Sequence, residues 1–73
     1  MQPHEIIRAL REDHDLNQTY IADILQTNQK KISRLEIGKQ DPTLSELKAL
    51  CQFYNVSADY ILGLPKNMPY PDR

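Results

Sequence analysis

The sequence predicts an all-α fold, a compact domain of five short helices. Apolar residues recur at the i, i+3 and i+4 spacing of a helix, and no segment shows the alternation typical of a strand. Residues that cap or break helices interrupt the chain at intervals of about one short helix. The chain has 73 residues, enough for one small hydrophobic core. We therefore expect one domain over residues 1–64 and an extended, proline-rich tail over residues 65–73.

The first three predicted helices are short, and polar residues separate them. Pro3 fits the first turn of helix one, since a proline there loses no helical hydrogen bond, and this helix is predicted to end near His14. Asn17 and Asn28 are good N-caps for helices two and three. The inward-facing residues are Ile6, Ile7 and Leu10 in helix one, Ile21, Ala22 and Leu25 in helix two, and Ile32 and Leu35 in helix three.

The last two predicted helices follow a loop that begins after Gly38. Thr43 and Glu46 have the spacing of a capping box, in which each side chain accepts a hydrogen bond from the other residue's backbone N–H. Ser57 caps a short fifth helix, and Gly63 ends it. The apolar stripe of helix four is predicted to contain Leu44, Leu47, Leu50, Cys51 and Tyr54.

Positive charge is concentrated in one short central segment, although the whole chain has a net charge of −1. Residues 28–40 are basic, whereas residues 1–27 are acidic. The cationic residues of the central segment are Lys30, Lys31, Arg34 and Lys39. Nucleic-acid binding needs a local basic surface rather than a basic chain, so this distribution is compatible with it.

Several other classes of protein are disfavoured. No apolar run is long enough to cross a membrane, and the N-terminus lacks the pattern of a secretory signal. The single cysteine, Cys51, allows no internal disulfide and fits a reducing cytoplasm. The spacing of the His and Cys residues matches no zinc motif, and no nucleophile–base pair is evident. We therefore expect no metal, no cofactor and no enzymatic activity.

The outward face of helix three carries side chains that can read DNA bases. Ala22 allows helices two and three to approach closely, so that helix three projects outward and fits the major groove of B-DNA. Glutamine matches adenine N6 and N7, whereas arginine and lysine match guanine O6 and N7. The predicted base-reading residues are Gln29, Lys30, Ser33 and Arg34.

The stretch LNQTYIADILQTNQKKISRLEIGK, residues 16–39, resembles the helix-turn-helix of the phage repressor and Cro family, the lambda repressor-like or XRE type. The resemblance continues through PTL at 42–44 and VSADYILG at 56–63, and it covers roughly residues 4–63. It implies a sequence-specific regulator of transcription, most simply a repressor, whose helix-turn-helix spans about residues 18–36. It also implies a symmetric homodimer that places two recognition helices in successive major grooves, about 34 Å apart.

The resemblance implies roles for single residues. Gln18 matches a glutamine that contacts a phosphate and braces the first residue of the recognition helix. Asn28 and Lys39 match positions that contact the DNA backbone, and we group Lys31 of the basic segment with them. These four residues are the predicted backbone-contacting set.

The resemblance further implies a shielded salt bridge between Arg11 and Glu36, which joins helices one and three. Three positions depart from the family pattern. Asp15 and Gln26 stand at turns where the family commonly has glycine, and a positive φ at such residues costs about 1 kcal/mol. Ile37 is apolar at a position that is usually polar, and this marks it as a candidate contact for a partner.

Two classes of function remain open. The first is a DNA-binding regulator, for which an antitoxin or a restriction-modification controller of the same fold is an alternative. The second is a protein-interaction module that has lost DNA binding, a reading favoured by the acidic helix one and by Ile37. The expected partners are double-stranded DNA and a second copy of the chain, with a regulatory protein partner left open and no membrane. We expect a cytoplasmic, nucleoid-associated protein of a bacterium or a phage.

Overall fold

The fold is known from a computed structural model, which describes residues 1–69 and 71. Within these residues the chain forms helices α1 (Pro3–Asp13), α2 (Gln18–Ile24), α3 (Gln29–Glu36), α4 (Leu44–Tyr54) and α5 (Ala58–Leu62), and no strand. The all-α, five-helix prediction is confirmed. No helix in the described part of the chain is long and apolar enough to cross a bilayer. The tail expected over residues 65–73 stays a prediction, since its residues 70, 72 and 73 lie outside the described residues.

Polar side chains cap the starts of four helices, as the sequence predicts. Asn17, Asn28 and Ser57 each accept a hydrogen bond from a backbone N–H in the first turn, at 2.8, 2.9 and 3.2 Å. Thr43 and Glu46 form the capping box, with N–H to side-chain oxygen distances of 2.9 and 3.1 Å. Each such cap contributes about 1 kcal/mol. Local chemistry therefore determines where these helices begin.

The five helices bury one common apolar core. Helix α5 is only five residues long and fully buries a single side chain, Ile61. Burying one such side chain contributes roughly 1.5–3 kcal/mol, so packing rather than helix propensity holds α5 in place. The core consists of Ile6, Ile7, Leu10, Ile21, Ala22, Leu25, Ile32, Leu35, Leu50, Tyr54 and Ile61.

One residue assigned to the apolar stripe of α4 does not face the core. Leu44 was predicted to face the core, and this prediction is wrong, because its side chain is 86% exposed. Its neighbours Thr43 and Ser45 are also exposed, whereas Glu46 in the same turn is buried. Cys51 is half-buried at the core's edge, where burial raises the pKa of its thiol.

The two turns that depart from the family's glycine keep a left-handed backbone. Asp15 has a φ of 55° and Gln26 a φ of 57°. In each turn the backbone N–H of the following residue donates a hydrogen bond to a carbonyl of the preceding helix. The N–H of Leu16 donates to the Arg11 carbonyl at 3.1 Å, and that of Thr27 donates to the carbonyl of residue 22 at 2.9 Å. The short connection between α2 and α3 therefore forms without glycine.

Tyr54 places a phenol inside the core. Its ring centroid lies 5.0 Å from those of both His14 and Phe53. The hydroxyl is buried, and no group among the described residues forms a hydrogen bond with it. Burial raises the pKa of Tyr54 to about 12, and the Glu36 carboxylate acts in the same direction.

We expect Tyr54→Phe to leave the free energy of unfolding near neutral pH unchanged or to raise it by up to about 1 kcal/mol, because no hydrogen bond is lost. Above pH about 10 the unfolded chain ionises its tyrosines while folded Tyr54 stays protonated, so alkali lowers stability. The variant should lose less stability than the wild type between neutral pH and about pH 11. Urea unfolding measures both quantities, with Tyr60→Phe at an exposed tyrosine as the matched control. A neutral-pH loss above about 2 kcal/mol would show that the hydroxyl has a partner.

Candidate nucleic-acid interface

Helices α2 and α3 form a helix–turn–helix unit with one open face. Helix α3 buries Ile32, Leu35 and Glu36 on its inner side. Of the predicted base-reading residues, Gln29, Lys30 and Arg34 are exposed on the opposite side, and Ser33 is half-buried at the margin. The fold thus brings three of the four onto one accessible surface, which we call the open face (Gln29, Lys30, Arg34). Ile37, one turn past Ser33, adds an apolar side chain beside it that is 53% exposed.

A chain of hydrogen-bonded polar side chains connects the first residue of α3 to α1. The Gln29 amide Nε2 donates to Gln18 Oε1. Gln18 Nε2 in turn donates to Glu36 Oε1 at 3.1 Å. Arg11 donates to both Glu36 oxygens, from Nε at 2.7 Å and from Nη2 at 3.0 Å, and its Nη1 donates to the Leu16 carbonyl at 2.8 Å. We call Gln29, Gln18, Glu36 and Arg11 the polar chain.

The Arg11–Glu36 ion pair within this chain is shielded from solvent. The two side chains are 14% and 2% exposed. The hydrogen bond with Glu36 raises the pKa of Arg11 against the opposing effect of burial. A buried carboxylate is costly unless it is paired and hydrogen-bonded, and here a two-pronged guanidinium contact and the Gln18 amide meet that requirement. The structure thus contains the ion pair that the family resemblance implies.

The exposed charges of the central segment all have one sign. Between residues 28 and 40, Lys30, Arg34 and Lys39 are exposed, whereas the segment's one carboxylate, Glu36, is buried. The first turn of α3 carries no acidic side chain, so the positive end of its dipole favours an anion. This surface has the electrostatic character that a phosphate backbone requires.

The predicted backbone-contacting residues lie in different environments. Lys39 is exposed, and Gln18 is half-buried within the polar chain. The side-chain oxygen Oδ1 of Asn28 caps α3, and the side-chain NH₂ of the same residue can still donate to a phosphate. The Lys31 ammonium lies 2.9 Å from a Glu46 carboxylate oxygen on α4, and its predicted contact with the DNA backbone stays a prediction. The helix turns this side chain away from the open face.

Sequence reasoning missed the second contact of Glu46, which serves both the capping box and Lys31. The two residues lie far apart in the sequence, so local spacing gave no signal for this contact. Tyr20, which had no assigned role, packs its ring 6.0 Å from that of Phe53. In the part of the chain that the structure describes, no three His, Cys, Asp or Glu side chains are grouped closely enough to hold a metal ion.

Comparisons with known proteins agree with this geometry. The family model for helix-turn-helix domains matches residues 7–61. The chain is 32% identical over 63 residues to the HTH-type transcriptional activator BcrR of Enterococcus faecalis, a match that covers 86% of this chain and 31% of BcrR. It is 35% identical over 60 residues to the antitoxin PezA of Streptococcus pneumoniae, covering 82% of this chain and 38% of PezA. The chain therefore spans about a third of the length of these two relatives.

Solved structures show the same fold. The P22 c2 repressor, crystallised in complex with a synthetic operator, superimposes with a TM-score of 0.79 at 27% identity. This match covers 85% of the present chain and 94% of the repressor chain. The structural match therefore spans nearly the whole repressor chain in that crystal, in contrast to the partial coverage of the longer relatives.

We expect Arg11→Met to lower the free energy of unfolding by about 3 kcal/mol, since it leaves the buried Glu36 carboxylate without its cation. Arg8→Met is the matched control, because it breaks the Arg8–Glu12 pair on the same helix, whose side chains are 56% and 52% exposed. That variant should show little or no loss. Chemical denaturation at neutral pH measures both. Equal losses in the two variants would contradict a shielded pair.

Proposed function

The chain belongs to the helix-turn-helix family, and from that premise we propose that it is a sequence-specific regulator of transcription that binds operator DNA, most simply as a repressor. The observation that carries the proposal is the open face of α3, where Gln29, Lys30 and Arg34 are exposed and the helix's one carboxylate is turned inward. The operator complex of the P22 c2 repressor supports it, and BcrR, which is named a transcriptional activator, supports regulation of transcription without favouring repression. The proposed activity is binding, without catalysis.

In this proposal α3 enters the major groove with its N-terminal half leading. The polar chain holds the Gln29 amide beside Gln18, so that Gln29 approaches a base edge with its orientation already restricted. Gln29 reads adenine, and Lys30 and Arg34 read guanine, by the donor and acceptor patterns of these bases. Ser33, at the margin, contributes at most one hydrogen bond to a neighbouring base.

The phosphate contacts surround this reading face. Gln18 and Asn28 lie at the N-terminal ends of α2 and α3, where helix N–H groups and the positive dipole favour a phosphate. Lys39, just beyond the C-terminal end of α3, adds an exposed cation. These contacts fix the position of the domain on the duplex and carry no sequence information of their own.

We further propose that the regulator acts as a homodimer through the surface around α5. A single small domain covers little DNA, and specific affinity at physiological salt needs a larger contact. Tyr60 and Leu64 are 56% and 45% exposed, and they line a shallow groove of about 430 Å³ together with Val56. A two-fold axis beside α5 brings these surfaces together and directs two copies of α3 to one side of the duplex. We also propose that the protein acts in the cytoplasm, at the nucleoid, since bacterial operator DNA lies there.

A second candidate is an antitoxin that uses the same interface. The similarity to PezA over 82% of this chain favours it. An antitoxin of this kind needs a toxin as its partner, and the exposed Ile37 gives an apolar contact beside the open face. The test is to co-purify the protein with the product of an adjacent gene. An antitoxin should form a stable complex with that product and suppress its toxicity, whereas a self-sufficient repressor should not.

DNA selection tests the proposal directly. Duplexes recovered from a random pool should contain two half-sites with two-fold symmetry, about 10 base pairs apart from centre to centre. Arg34→Ala and Gln29→Ala should each cost about 1–3 kcal/mol at one base pair and relax the preference there. Lys39→Ala should weaken all duplexes alike and reduce the salt slope by about one. If no duplex shows salt-dependent affinity, the regulator is excluded.

The dimer has its own test. We expect Leu64→Glu to shift the chain towards monomer in sedimentation equilibrium, because it places a charge in an apolar contact. Affinity for a full operator should fall, while affinity for an isolated half-site should stay unchanged. Leu44→Glu, at a still more exposed leucine (86% against 45%) far from α5 in the sequence, is the control. Loss of half-site binding in Leu64→Glu would indicate a damaged fold rather than a lost interface.

A further inference from the structure

Lys31 and Glu46 form an ion pair between the recognition helix and α4. The Lys31 ammonium Nζ lies 2.9 Å from Glu46 Oε2, and the two side chains are 20% and 11% exposed. Glu46 uses its other oxygen, Oε1, to accept the N–H of Thr43 at 2.9 Å in the capping box. One carboxylate therefore connects the first turn of α3 to the first turn of α4.

This pair lies where the two helices otherwise make little contact. The backbone of α3 packs chiefly against α1 and α2, and it approaches that of α4 at few points. Lys31 is the third residue of α3, and its own N–H is held by the Asn28 cap at 2.9 Å. Both the main chain and the side chain of Lys31 are thus fixed at the end of α3 that leads into the groove.

The environment of Glu46 favours its charged form. Burial on its own raises the pKa of Glu46, but the hydrogen bond from the Thr43 N–H and the Lys31 ammonium outweigh it and lower the pKa below its usual value. Glu46 is therefore ionised at neutral pH and available to hold the lysine.

We propose that Lys31 is a positioning residue, which sets the placement of the N-terminal end of α3 through Glu46 and makes no contact with a phosphate. The proposal rests on the proposed DNA-binding function and refines its site. It divides the basic segment by role: Lys30 and Arg34 face the bases, Lys39 faces the backbone, and Lys31 aligns the helix that carries them. Since the pair lies under α3 rather than on it, its effect reaches DNA only through the orientation of Gln29 and its neighbours.

The experiment compares Lys31→Met and Glu46→Gln with the wild type and with the double variant. Methionine keeps the aliphatic stem of lysine, and glutamine keeps an oxygen for the capping box, so each change removes mainly the charge interaction. Lys31→Arg is the conservative variant that retains the pair. Dissociation constants are measured over a range of salt for a duplex from the selection and for a scrambled duplex. Protein concentrations are corrected to the active fraction by stoichiometric titration.

We expect Lys31→Met and Glu46→Gln each to lower the ratio of preferred to scrambled affinity about tenfold, with the double variant no worse than either. The salt slope should stay at the wild-type value, and Lys31→Arg should bind as the wild type does. Lys39→Met is the matched control for a true phosphate contact, and its slope should fall by about one. If Lys31→Met does not fold, Glu46→Gln and Lys31→Arg carry the same comparison.

Three results would overturn the inference. A slope lowered by about one in Lys31→Met, together with affinity maintained or increased in Glu46→Gln, identifies Lys31 as a phosphate contact. If Lys31→Met and Glu46→Gln lower the free energy of unfolding but leave the ratio of preferred to scrambled affinity unchanged, the pair is structural only. Absence of salt-dependent binding by the wild type overturns the proposed function itself, and is distinguished from the other two by the wild-type measurement alone.

Discussion

The contact between Arg11 and Glu36 is the interaction on which the arrangement of the first three helices depends. Glu36 lies on the inner side of α3 with a side chain that is only 2% exposed, so its charge must be compensated from within the protein. Arg11 on α1 supplies two hydrogen bonds, and Gln18 on α2 supplies a third. Three helices thus meet at one carboxylate. A shift of any of them would leave a buried charge partly unmatched, and this restricts the angle at which α3 leaves the core.

The same interaction determines the sign of the surface above it. A carboxylate on the open face would repel DNA. The Glu36 carboxylate is instead buried and paired with Arg11, so its negative charge is compensated within the protein. The cationic side chains Lys30 and Arg34 are left to define the field around α3. Burial of one acidic group therefore serves both the packing of the domain and the electrostatics of the candidate interface. A chain with a net charge of −1 can in this way present a basic surface.

Much of the fold and part of the site follow from local sequence, and the remainder depends on contacts between distant residues. Asn17, Asn28 and Ser57 could be recognised as caps because a cap bonds to its own first turn. Leu44 keeps the apolar spacing of α4 yet is exposed, because whether another helix covers that position depends on tertiary packing, which periodicity does not encode. The partner of Lys31 is on another helix, so the cluster of basic residues alone suggested a phosphate contact. The inward turn of Glu36 was recognised only through the family resemblance, since spacing does not reveal which cation will reach it.

Helix α5 has a consequence for how the protein responds to its own concentration. It has five residues, too few to be stable in isolation, and one fully buried side chain attaches it to the core. It is therefore the element expected to open first, with hydrogen-exchange protection well below that of α2 and α3. The proposed dimer surface surrounds this helix and includes its Tyr60, so association would select the closed form and stabilise it by mass action. Docking of α5 and assembly of the dimer would then be one linked equilibrium, which makes operator occupancy rise more steeply with the number of copies in the cell than independent binding would.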